Sequence, residues 1–248
     1  MHLLKTESHK VVSLKNAPSA VPTIVLAILF LLIICNTGGA QVAQTADSVS
    51  AMPDTTFSRI DENHYAIGNL KLDVEAREIE IPGWVNMNEG QVEYLAVTKY
   101  GKTHESVVVL DIVPIHLQLS LLLFGMEYGQ NLNYQGDSTV PGGDSVAIFI
   151  KWVKGNGDTA EFSANELLYD FQLKKNMSPT EWVFTGSGVF DGRFMADLDG
   201  SIIAVYSDPV AILNNPLSGR YDDTVYGSNK ELLPPPGTKI MMTIRLPE

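Results

Sequence analysis

Cysteine is nearly missing from this chain of 248 residues, Cys35 being its one thiol. A single thiol excludes an intrachain disulfide and an iron–sulfur cluster held by the chain's own thiolates. Apolar length is also short. The run Ile24 to Cys35 covers about a dozen residues, where a membrane-crossing helix needs roughly 20. Basic side chains are scarce, with 17 Lys and Arg against 29 Asp and Glu and a formal net charge of −12. A surface of that sign repels phosphate backbones and anionic lipid heads, so nucleic acid is not expected as a partner.

What is present begins with a leader. Lys5, Lys10 and Lys15 precede the apolar run, and Gly38 and Ala40 put small side chains where a signal peptidase reads. The pattern predicts cleavage between Ala40 and Gln41, with residues 1–40 as signal peptide. The protein is then extracytoplasmic, periplasmic or secreted. The alternative is anchoring by an uncleaved segment, which would be the chain's one link to a membrane. Lipidation at Cys35 is disfavoured by the bulky Ile34 before it. Removing three lysines and Glu7 leaves 14 basic and 28 acidic residues and no thiol. A cysteine nucleophile is thereby excluded, and stability must come from an ordinary core.

Residues 41–57 are small and polar with Pro53, and read as a disordered spacer. Residues 58–248 read as one globular domain. Strand patterns dominate it. Leu70, Leu72 and Val74 alternate with polar residues, as do Glu78 to Ile81 before a Pro82-Gly83 stop. Val92–Val97, Ser145–Val153, Glu181–Thr185, Ser201–Tyr206 and Lys239–Leu246 follow the same logic. Ser106–Leu110 is apolar on both faces and is expected at the centre of a sheet. Pro114 and Gly125 frame a helix over Ile115–Phe124, and a weaker helix is expected over Asp208–Leu213. The expected fold class is α+β: β-rich, with one main helix packed on a largely antiparallel sheet or barrel. It is not doubly wound, because helices do not alternate with strands.

Several segments occur together: Gly101-Lys102-Thr103-His104-Glu105-Ser106, Ile115-His116, Trp182 to Ser187, Asp191-Gly192 with Ala196-Asp197, Asp208-Pro209, Asp222-Asp223 and Leu233-Pro234-Pro235. In these the chain resembles the YdjY-domain family of exported bacterial proteins, from about Ile79 to Leu246. The resemblance implies an extracytoplasmic bacterial protein and no particular activity. Some relatives are described as ferredoxin-like for cysteine clusters, which this chain does not have.

The candidate ligand site is Lys102, His104, Glu105 and His116 with Asp208, Asp222 and Asp223. These polar residues flank the most apolar strand and the helix after it. His104, His116 and Asp208 could hold a divalent metal if the helix folds back beside the strand's start. The bland reading makes His116 a helix cap and Lys102–Glu105 a turn-edge ion pair, with no cofactor at all. Asp197-Leu198-Asp199-Gly200 resembles the start of a calcium loop but misses the later ligands. Gly101-Lys102-Thr103 lacks the first glycine of a phosphate loop. Thr185-Gly186-Ser187-Gly188 is no nucleophile elbow. The aromatics Trp84, Tyr94, Trp152, Trp182, Tyr206, Tyr221 and Tyr226 read mainly as core. The segment 214–229 is long for a loop and is the expected place for a pocket cover. No catalytic residue is assigned. The leading expectation is a non-catalytic domain that binds an unknown small ligand or protein partner. The alternatives are a metal-dependent hydrolase with Glu105 as general base, and an accessory protein of an electron-transfer complex.

Overall fold

Strands β4 (Glu78–Val85) and β7 (Ser145–Val153) alternate strictly between buried and half-exposed positions. That period-2 pattern lets one face of each strand enter a core. Between them lies β17 (Lys239–Arg245). Its register places Met242 opposite both Ile81 and Ile150, and Ile244 opposite both Ile79 and Ile148. Cross-strand apolar rows of this kind lock the register, because a one-residue slip would turn every inward side chain to solvent.

The computed structural model describes residues 57–247. Expectations for the leader, its cleavage at Ala40 and Gln41, and the spacer up to residue 56 lie outside them. Phe57, expected in the spacer, instead opens β1 (Phe57–Arg59), which pairs with β2 (His64–Ile67). β3 (Leu70–Asp73) joins β2 to β4. The main path continues through β17, β7, β11 (Trp182–Phe184), β15 (Leu213–Asn214), β14 (Ser201–Ala204), β5 (Tyr94–Thr98) and β6 (Ser106–Leu110). β6 also pairs with β4, closing an eight-strand ring whose joins are antiparallel except β14–β15 and β5–β6. A barrel of that size is filled by its own side chains. β8 (Thr159–Ser163) hangs on β7 outside the ring.

The Pro82-Gly83 stop is not there: β4 runs through it. β3 pairs with β4 as far as Glu80, and β6 takes over from Gly83. Pro82 occupies the changeover, where its missing N–H costs no ladder bond on that edge. A Cβ at Gly83 would lie 2.4 Å from the Val109 carbonyl oxygen, so only glycine allows the closing strand to approach. β5 and β6 are buried at every position. One face meets the main core; on the other, Tyr94, Val97 and Val109 pack with Ala204 and Ala211.

Helix α1 (Pro114–Leu123) forms as expected and buries Leu117 and Leu121, one helical turn apart. Its cap comes from elsewhere. The Ile115 N–H donates to Asp197 Oδ1 at 2.9 Å, and Asp197 belongs to a short second helix, α2 (Met195–Asp199). The calcium-loop resemblance is therefore a helix that caps another helix. The helix expected over Asp208–Leu213 is absent: Asp208 closes a turn on the Val210 N–H, and the chain then enters β15. The 214–229 segment is shorter in irregular structure than its sequence implies, since it contains a 3₁₀ turn (Ser218–Tyr221) and β16 (Tyr226–Ser228). β16 pairs with β9 (Leu168–Asp170), which in turn pairs with β10 (Lys175–Asn176), and a separate small hairpin joins β12 (Val189–Phe190) to β13 (Arg193–Phe194).

Candidate functional site

The most apolar strand, β6, separates the two histidines of the expected site. His104 lies on the 3₁₀ turn Thr103–Glu105 that leads into Ser106. Its side chain is 78% exposed and pairs with Glu105 at 3.7 Å. His116 lies on α1, beyond Leu110, and is buried. Its ring packs against the β2–β3 turn, where a Cβ at Gly68 would come within 2.7 Å of Nδ1. Ser106 to Leu110 alone spans about 13 Å at strand rise. Helix α1 thus does not fold back to the strand's start, and the trio His104, His116 and Asp208 is not brought together. Among the described residues no group of three His, Cys, Asp or Glu side chains is placed to share a metal ion.

Lys102, Glu105, Asp208 and Asp223 do converge, around residues the sequence did not single out for a site. Tyr94 is central. Its hydroxyl donates to Asp208 Oδ2 at 2.8 Å and accepts from Lys102 Nζ at 2.9 Å. Gln135 Nε2 donates to the same phenol oxygen at 3.3 Å and to Glu93 Oε2 at 2.6 Å. Gln135 Oε1 accepts from Lys102 Nζ at 3.2 Å, and that ammonium stands 5.1 Å from the Tyr94 ring centroid. Tyr94 and Asp208 are buried, Lys102 and Glu93 half-buried and Gln135 exposed, so the buried phenol and carboxylate are satisfied at little penalty. Behind it, Asn214 Nδ2 donates to Thr185 Oγ1 at 2.8 Å and to the Asp208 carbonyl at 2.9 Å, while Asn214 Oδ1 accepts the Asp208 N–H.

The strand ladder explains the placement. Parallel pairing sets Tyr94 opposite Ser106, and the Glu93 N–H donates to the Glu105 carbonyl. Two consecutive segments therefore deliver Glu93 and Glu105, about a dozen residues apart, to one spot. Burial, helped by the neighbouring Glu105 and Asp223 charges, pushes the Glu93 carboxyl above its ordinary range, against the opposing pull of Lys102. Burial and the Asp208 charge push the Tyr94 phenol far upward, so it stays a donor. Tyr206, beside Asp223 and Glu93, is also raised, chiefly by burial. Asp222 is different. Hydrogen bonds from Thr224 hold it below the usual carboxylate range, and it serves a turn. The aspartates of the long segment thus divide, with Asp223 at the rim and Asp222 in the backbone architecture. Its arginine is structural as well. Arg220 is buried and donates to the carbonyls of Ser138, Thr139, Pro216 and Leu217, pinning two loops together.

Thr185, Gln130 and Pro209 border a pocket of 230 Å³. That is smaller than the roughly 300–1,000 Å³ typical of small-molecule sites. Sequence reading passed over Glu93 and Gln135 because neither sits in a motif. Tyr94 was visible only as one aromatic among several.

A family model described as the YdjY domain matches residues 70–245. No curated protein and no solved structure matches the chain.

Proposed function

The chain belongs to the YdjY-domain family, and on that footing we propose that it is an exported, non-catalytic binding domain whose rim at Glu93 receives a cationic group of a ligand or partner. Export rests on the leader pattern of residues 1–40. One observation carries the binding reading: Glu105 and Asp223 lie close enough to Glu93 to raise its carboxyl, with Lys102 as the opposing cation. Surplus negative charge, partly withdrawn from water, is relieved when a positive group arrives. Gln135, fixed by its bonds to Glu93 and Tyr94, keeps the rim in one arrangement.

The hydrolase alternative needs His104 and His116 at one centre, and the separation of these two along β6 gives it no support. The electron-transfer accessory would hold a partner without thiols of its own, and a basic partner at this rim is the form compatible with the charges.

Titration calorimetry of the full chain with tetralysine tests the proposal. Binding should weaken as salt rises, because exposed charges are screened within about 10 Å at 0.1 M. The double variant Glu93→Gln, Glu105→Gln should bind about tenfold more weakly, at roughly 0.2–1 kcal/mol per exposed contact. Absence of binding, or an unchanged affinity in the double variant, overturns it.

A further inference from the structure

A second groove, far from the rim in sequence and opposite in charge, lies where the β9–β10 hairpin faces the turn after β8. Its volume is 590 Å³, and Lys174, Lys175, Asn165, Tyr169 and Ser178 help to line it. This is within the range of small-molecule sites. From these features we propose that the groove binds an acidic saccharide, with the lysines taking its carboxylate and the polar wall its hydroxyls.

Charge comes first. Lys174 and Lys175 are adjacent and exposed in a chain of net charge −12. Neither enters an ion pair among the described residues. The nearest acid in the lining, Glu166, is already engaged: its Oε2 accepts from the Ser163 N–H and from Ser163 Oγ, both at 2.8 Å. Two lysines therefore line the groove, and the carboxylate opposite Lys175 in the hairpin, Asp170, is engaged by the Gln172 and Leu173 N–H groups through its Oδ1.

The second observation is independent of charge. Asn165 is buried in the groove wall and gives its Nδ2 to the Thr180 carbonyl at 2.8 Å. Its Oδ1 accepts from no donor among the described residues. Buried amide oxygens are nearly always hydrogen-bonded. A ligand hydroxyl supplies the missing donor once the wall yields slightly, which a bare carboxylate cannot do. Tyr169 adds a partly exposed aromatic side chain to the same wall. Negative charge together with hydroxyl donors is the chemistry of a sugar acid. An acidic peptide would satisfy the lysines but offers one backbone N–H donor per residue where a sugar acid offers several hydroxyls, and triglutamate separates the two.

The proposal is independent of the rim reading, since it concerns other residues and a ligand of opposite sign. The test is calorimetry of the full chain with trigalacturonate at low salt. Binding is expected, with about tenfold loss in the double variant Lys174→Gln, Lys175→Gln, from two charge-assisted contacts. Both side chains are exposed, so the fold should survive, and an unchanged thermal transition checks this. Maltotriose, equal in size and neutral, should bind at least as weakly as the variant binds the acid. Triglutamate should bind more weakly than trigalacturonate. No heat with trigalacturonate at millimolar concentration, equal binding by the double variant, or maltotriose or triglutamate matching trigalacturonate would each overturn the proposal.

Discussion

At the Leu110 end of β6, a histidine is buried against a glycine and lies close to the aspartate that caps its helix. At the Ser106 end, a histidine stands in solvent while a tyrosine, a lysine and a glutamine form a closed hydrogen-bond network under a rim of carboxylates. In sequence both ends look alike, each with a histidine and nearby acids. The difference is what the polar groups face. Groups that face packed side chains secure the fold. Groups that face a partly open, like-charged rim are left with an interaction to offer.

The largest expected effect lies at the packed end. Gly68→Ala should cost about 2 kcal/mol or more, because the position has φ +55° and a new Cβ would collide with the His116 ring. Urea unfolding measures it. A loss below about 0.5 kcal/mol would mean that the histidine is loosely seated and that the two ends differ less than argued.

Tyr94→Phe comes next. It removes the group that joins Lys102 to Asp208 and leaves a buried carboxylate oxygen without its donor, at about 1–3 kcal/mol. Unfolding of this variant shows whether the network at the Ser106 end is closed. A neutral result would leave the rim without fixed support and break the contrast from the other side.

Much of the fold was legible in the sequence. The uninterrupted apolar run of β6, the alternation in β7 and β17, and the proline-to-glycine frame of α1 each follow from local pattern. What the pattern hid were consequences of closure. Pro82-Gly83 reads locally as a stop, yet in the ring it is the point where β4 exchanges β3 for β6. Asp197 reads as a cation ligand, yet its partner is an N–H about eighty residues earlier. The site was half legible for the same reason. Lys102, Glu105 and Asp208 were visible as polar residues beside the apolar strand. Glu93 and Gln135 join them only through parallel pairing and a loop contact, neither of which leaves a local signature.

Carboxyl titration of Glu93 by carbon NMR, without and with tetralysine, tests the central claim most directly. In the free protein the carboxyl should titrate above the ordinary glutamate range. A raised folded pKa means that the native state favours the proton, so stability falls as pH rises from the ordinary range through the raised value. Bound tetralysine should move the titration back down, since a nearby cation favours the carboxylate. A Glu93 that titrates in the ordinary range and does not respond to tetralysine would contradict the account.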